Sequence, residues 1–230
     1  MAAFNILSSV FGLCATICAV YTCVSPYWAV SVKNSNGFNE MQERYFGLWQ
    51  YCAGGDHYGT YQCQALSQFG IAQLAQYGIV GFRILAILSC IFGSAGFIAG
   101  VASSDSVNLA SSKKSKKRAA GGSAALFALA GVLILAATSW AADNIIKRWK
   151  QLQMGGLGMS VNAGTQWTLG SAIYVGWISA VVFLVVSLIL VIGCFREEEE
   201  DDDEHFPHPE DAKMQFYASS NYSAGRKEYI

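Results

Sequence analysis

A chain of 230 residues with 53% hydrophobic and only 13% charged residues is too apolar for an ordinary soluble domain, where about a quarter of residues are charged. The net charge of −1 hides two opposed blocks, a basic Lys113-Lys114-Ser115-Lys116-Lys117-Arg118 and an unbroken acidic run from Glu197 to Glu204. Such blocks read first as solvated tails or loops, and no nucleic-acid partner is expected.

Four apolar segments run from about Ile6 to Tyr27, Gly78 to Ala102, Ala119 to Ala142 and Gly170 to Cys194. Each reaches the roughly 20 residues that cross a bilayer as a helix. For the first, a cleaved signal peptide is the weaker reading: there is no basic n-region, and the apolar run is too long for an h-region. A retained span is expected.

The connection after it, residues 29–77, follows Trp28 and carries Gly47-Leu48-Trp49, Cys52 and Cys63. Tyr27–Val32 and Gly59–Cys63 are aromatic and β-branched enough for strands. Asn34-Ser35-Asn36-Gly37 and Gly54-Gly55-Asp56 supply turn chemistry. The natural reading is a small antiparallel sheet stapled by Cys52 and Cys63, which requires an oxidising compartment.

Span two opens with an ionisable intruder, Arg83, which either snorkels to the interface or pairs with polar groups of the outer loop. A pore-lining role is the sharper and less favoured idea. Gly93, Gly96 and Gly100 give this span small-residue spacing for close helix approach. The basic hexamer follows, and Lys and Arg beside span ends prefer the cytoplasm. With four spans, both termini are then cytoplasmic and the connections 29–77 and 143–169 are extracellular. The second carries Ile145, Ile146 and Trp149 beside Lys147, Arg148 and Lys150, an adhesive edge or a surface packed on the first loop.

Cys14, Cys18, Cys23 and Cys90 lie within spans as small packing residues. Cys194, at the cytoplasmic end of span four, is a candidate for reversible palmitoylation. No cysteine pair has zinc spacing with histidine partners, no catalytic constellation stands out, and neither a cofactor nor enzymatic activity is expected. Residues 1–195 thus read as a four-span membrane domain, and 196–230 as a disordered acidic tail. That tail ends in Glu228-Tyr229-Ile230, the shape of a PDZ ligand whose aliphatic end and free carboxylate add a strand to a groove.

Together these residues resemble the claudins. Trp28, Gly47-Leu48-Trp49, Cys52 and Cys63 match the family's first-loop motif in order, and Arg83 matches its arginine early in span two. Asn144-Ile145-Ile146-Lys147, Leu169-Gly170-Ser171-Ala172-Ile173-Tyr174-Val175-Gly176-Trp177 and the Tyr229-Ile230 ending are also similar to family elements. The departures are wider cysteine spacing, a Gly155-Gly156-Leu157-Gly158 insertion and the acidic octamer, the mark of a divergent member, invertebrate or early-branching chordate.

The resemblance implies an all-α transmembrane fold, a left-handed four-helix bundle with a small extracellular antiparallel β-sheet, in the plasma membrane at cell–cell junctions. It implies polymerisation with itself and other claudins in cis, adhesion in trans, and a paracellular barrier or charge-selective channel. PDZ scaffold proteins and membrane lipid are the other implied partners. Phe69, Ile145, Ile146 and Trp149 would meet neighbouring copies, while Glu40, Glu43, Asp56 and Gln64 would line a pore of mild cation preference at most.

The rival reading is a peripheral-myelin-protein-like or calcium-channel γ-subunit-like accessory protein. Those relatives commonly carry an N-glycan on the first outer loop, whereas the only sequon here is Asn221-Tyr222-Ser223 in the tail.

Overall fold

The computed structural model describes residues 2–33, 44–55, 60–68, 78–103, 113–152 and 165–204. Among the described residues are four α-helices, α1 (Ala2–Val24), α2 (Ile79–Ser103), α3 (Lys113–Leu152) and α4 (Ser171–Glu204), with four strands between α1 and α2 and a fifth between α3 and α4. The strands are β1 (Ala29–Lys33), β2 (Arg44–Phe46), β3 (Gln50–Gly55), β4 (Thr60–Ala65) and β5 (Thr165–Leu169). The chain divides into two units, Met1–Val191 and Ile192–Ile230. The sheet and the packing described below belong to the first. In the second, the described residues are the turns of α4 up to Glu204.

All four helices are long and apolar enough to cross a membrane. They are apolar on the outside as well as the inside: Leu7, Ile17, Ile84, Ile98, Val132, Ile178 and Leu188 are exposed. A helix apolar all round is one whose solvent is lipid. Trp140 and Tyr174 stay exposed near the sheet end of the bundle, as expected of amphipathic rings at a membrane interface.

Between helices the packing is close because the residues are small. Phe127 of α3 stacks on Phe183 of α4 with centroids 5.7 Å apart. Their rings lie against Gly12 of α1 and Gly93 and Gly96 of α2, where a Cβ would come within 3.1 Å or less of them. Backbones this near allow hydroxyls to bond across helices. Ser89 Oγ donates to the Ala130 carbonyl, Ser123 Oγ to Gly96, Ser179 Oγ to Ala15 and Ser187 Oγ to Ala124, all at 2.7–2.9 Å. Association in lipid rests on such contacts, since burying apolar surface there gains nothing over lipid contact.

The strands form one antiparallel sheet in the order β4-β3-β2-β1-β5. The strands expected at 27–32 and 59–63 are present as β1 and β4, but β5 comes from the second connection. It pairs with β1 from Ala29 opposite Leu169 to Lys33 opposite Thr165. Ala29 is fully buried and Phe46 and Leu169 pack on the bundle core, so this end of the sheet rests on the helices.

Two boundaries differ from the sequence reading. The stretch from Asp143 to Leu152, expected as loop, continues α3, whose 40 residues span ~60 Å, about twice a hydrocarbon core. The acidic residues from Glu197 to Glu204, assigned to a disordered tail, continue α4. Both extensions follow from helix cooperativity, since adding a residue to an existing helix is far easier than starting one, and α4 continues although Asp201, Asp202 and Asp203 are poor helix formers.

Candidate functional site

The first-loop motif is assembled at the sheet end of the bundle, and helix-end chemistry explains its residues. The last four carbonyls of a helix have no intrahelical donor. At the end of α1, the Ser25 amide donates to the Tyr21 carbonyl at 2.9 Å. The next two carbonyls are met by indoles. Trp28 Nε1–H donates to Thr22 and Trp49 Nε1–H to Cys23, both at 2.8 Å. The opening of α4 is satisfied by the same segment, because the amides of Gly170 and Ala172 donate to the carbonyls of Trp28 and Tyr27 at 2.9 and 3.0 Å. Residues 25–28 thus close the end of one helix and the start of another.

Gly47 lets the loop pass over that junction. A Cβ there would lie 2.5 Å from Pro26 Cα and 2.9 Å from the Ser25 carbonyl oxygen, and backbone atoms cannot rotate away. A Cβ on Gly170 would likewise drive into the Tyr27 carbonyl. Leu48 is buried in the core, and its carbonyl accepts from Arg83 Nε–H at 2.7 Å. The Arg83 guanidinium also sits 5.0 Å from the centre of the Trp49 ring, within cation–π range. Of the two fates open to Arg83, the structure takes pairing with the first connection, at Leu48 and Trp49.

Trp28 extends the joint to the other helices. Its ring stacks on Phe82 of α2 with centroids 6.5 Å apart, and Phe82 meets Trp140 of α3 edge-on at 5.1 Å. Neither Phe82 nor Trp140 stands out in the sequence, because aromatic residues are common in spans. Their positions, early in α2 and late in α3, become meaningful only after the helices pack.

Cys52 and Cys63 are direct partners in the β3–β4 register, with Cα atoms 4.0 Å apart, and form the expected disulfide. On the same face Tyr27, Tyr45 and Tyr61 make a row, with ring centroids at 4.8 and 5.6 Å. Gln64 is exposed on β4. Glu40, Glu43, Asp56 and Phe69 lie outside the described residues, as do Glu228, Tyr229 and Ile230. Cys194 lies on α4 outside any disulfide.

One expected contact residue is corrected. Ile145 was placed with Ile146 on an adhesive edge, yet it is 7% exposed and belongs to the bundle core, while Ile146 is 56% exposed. Since α3 continues through this stretch, Ile145 falls on the inward stripe with Ala141 and Ala142, and Ile146 turns outward. Trp149 lies on the last turns of α3, and its side chain is outside the described residues. At the surface beside them, Lys147 Nζ pairs with Asp143 at 2.7 Å.

The family model described as the PMP-22/EMP/MP20/Claudin family matches residues 1–190. The chain is 25% identical to claudin-4 of Canis lupus familiaris over 176 residues, 76% of this chain and 79% of that protein. It is 25% identical to claudin-3 of Rattus norvegicus over 183 residues, 80% and 78% of the two chains. A claudin-like protein, ZF-A89, of Danio rerio is 21% identical over 209 residues, 90% and 95% of the two.

Proposed function

The chain belongs to the PMP-22/EMP/MP20/Claudin family, and from that premise we propose that it is a claudin-like protein of cell–cell junctions in the plasma membrane. Its four spans hold both termini in the cytoplasm, the side that the basic hexamer favours. It assembles with itself and with other claudins in cis, meets copies on the opposing cell in trans, and forms a paracellular barrier.

The observation that carries this reading is the joint at Trp28, Trp49 and Arg83. A sheet made from both outer connections is fixed to α1 and α2 through side-chain hydrogen bonds and a ring contact, and to the start of α4 through backbone hydrogen bonds. Such a surface is presented in one orientation, so recognition costs little ordering entropy. Phe69, Ile146 and Trp149 are the proposed apolar contacts with neighbouring copies. Glu40, Glu43, Asp56 and Gln64 face the paracellular path. Glu228, Tyr229 and Ile230 bind PDZ scaffolds, and Cys194 is the palmitoylation site.

With three acidic residues and a neutral Gln64 among the path-facing positions, at most a mild cation preference is expected. Transepithelial resistance and dilution potentials across monolayers expressing the protein test this. Raised resistance with sodium equal to or slightly favoured over chloride is the expected result. Unchanged resistance contradicts a barrier, and a clear chloride preference contradicts the selectivity.

A further inference from the structure

The first connection uses only part of what Arg83 can offer. A guanidinium carries N–H donors on every nitrogen and accepts none. Nε–H goes to the Leu48 carbonyl at 2.7 Å, and the planar cation lies 5.0 Å from the centre of the Trp49 ring. Among the described residues Nη1 and Nη2 meet no acceptor, and the positive charge meets no carboxylate. These nitrogens are not enclosed: Ser31 Oγ is the one buried side-chain polar atom left unpaired among the described residues. Arg83 thus holds a fixed, unneutralised fork of donors at the surface.

Depth decides what that surface meets. The 25 residues of α2 span ~37 Å, more than the ~30 Å of a hydrocarbon core. Arg83, about 6 Å from the start of α2, therefore lies near the boundary between hydrocarbon and headgroups. Its bond to Leu48 draws the guanidinium to the level of the loop that caps α1, where Trp49 closes the Cys23 carbonyl. Trp49 and Trp140 are exposed at this same end, the placement of interfacial rings.

Two features favour an anion with an apolar body. The first turn of α2 holds no acidic residue, so the partial positive charge of that helix end adds to Arg83. Further along the same face of α2, Ile87 and Ile91 are exposed. A charged group at Arg83 has hydrocarbon-binding surface directly beneath it. A phospholipid has this shape, with its phosphate at the boundary and its chains below.

We propose that the Nη groups of Arg83 bind the phosphodiester of a membrane phospholipid in the leaflet at the sheet end of the bundle, its chains lying along Ile87 and Ile91. The fork matches two phosphate oxygens at once, which an ammonium cannot do. Trp49 is a positioning residue, because its ring and the Leu48 carbonyl set the plane of the fork.

The test uses the full chain, labelled with nitrogen-15 in arginine, in a maltoside detergent free of phosphate. The Arg83 Nε–H signal is assigned by its Overhauser contacts to the Trp49 ring. Four probes are titrated: short-chain phosphatidylmethanol, its uncharged methyl triester, diacylglycerol with the same chains, and dimethyl phosphate, the same headgroup without chains. Phosphatidylmethanol should shift the signal saturably. The triester and diacylglycerol should bind at least about tenfold more weakly, as expected for loss of a charge-assisted hydrogen bond. Dimethyl phosphate, without chain contacts, should also be weaker. Arg83→Lys should lower affinity for phosphatidylmethanol about tenfold by lipid retention in native mass spectrometry.

No saturable shift with phosphatidylmethanol overturns the proposal, and so does an equal response to the triester or to diacylglycerol. These comparisons use the wild-type chain, so they hold whether or not Arg83→Lys folds. Dimethyl phosphate binding as tightly as the lipid assigns the site to a soluble anion, also against the proposal. A shift that follows protein concentration without lipid makes a carboxylate of a second copy the occupant and overturns it as well.

Discussion

Trp49 donates its indole N–H to the carbonyl of Cys23 at 2.8 Å, across 26 residues of chain, and so closes the helix from which its own loop departs. Trp28 does the same one residue earlier, at Thr22. The two tryptophans of the motif are helix caps; the Trp28 cap is buried, whereas Trp49 makes its cap from a ring that stays 41% exposed.

Trp28→Phe separates these roles. Phenylalanine keeps a ring against Phe82 but cannot donate, so a buried carbonyl loses its partner at a cost of about 1–3 kcal/mol. A lowered thermal midpoint in detergent, with helix content unchanged by circular dichroism, is the expected result. Trp28→Ala, which also leaves a cavity, should cost more, about 3–5 kcal/mol.

Glycines at two places should respond oppositely to the same change. Gly47→Ala sets a methyl against Pro26 and the Ser25 carbonyl and should destabilise by about 1–3 kcal/mol or more, seen as reduced surface expression and a lowered midpoint. Gly121 has open space around its Cβ position, so Gly121→Ala should be neutral, or stabilising by up to about 1 kcal/mol through helix propensity.

Arg83→Lys keeps the charge but not the geometry. Lysine has no Nε–H set to reach Leu48 while a planar cation covers Trp49, and the loss should be about 1–3 kcal/mol. Hydrogen exchange at the amides around Leu48 and Trp49 should quicken in this variant, with the interior of α2 unaffected. Exchange unchanged at the loop would show that Arg83 does not hold it.

Removing the disulfide by Cys52→Ala with Cys63→Ala should cost about 3 kcal/mol, the loop-closure value for a ring of this size. The wild-type midpoint should fall by a similar amount on reduction, whereas the double variant should be indifferent to reductant.

What the sequence disclosed depended on how local each signal is. The four spans are contiguous apolar runs, and the cysteine pair lies within one hairpin, so both could be read directly. Strand β5 could not, because its partner β1 is well over a hundred residues away and nothing near Thr165 signals pairing. Strand β2 has three residues, too few for alternation to show, and β3 ends in two glycines, which strands disfavour. Ile145 and Ile146 are adjacent and chemically identical. Only the continuation of α3 decides which faces the core.

The tryptophan motif itself was legible as a pattern but not as a device. Its spacing gives no hint that the acceptors are the last carbonyls of α1, since helix-end geometry appears only when the chain folds back.

Adhesion between copies on opposing cells is the central requirement of the proposed function. Cells expressing the tagged protein, mixed with cells lacking it, should concentrate it at borders between two expressing cells. Borders shared with a non-expressing cell should show little. Uniform staining over the whole surface, indifferent to the neighbour, would contradict the proposed function.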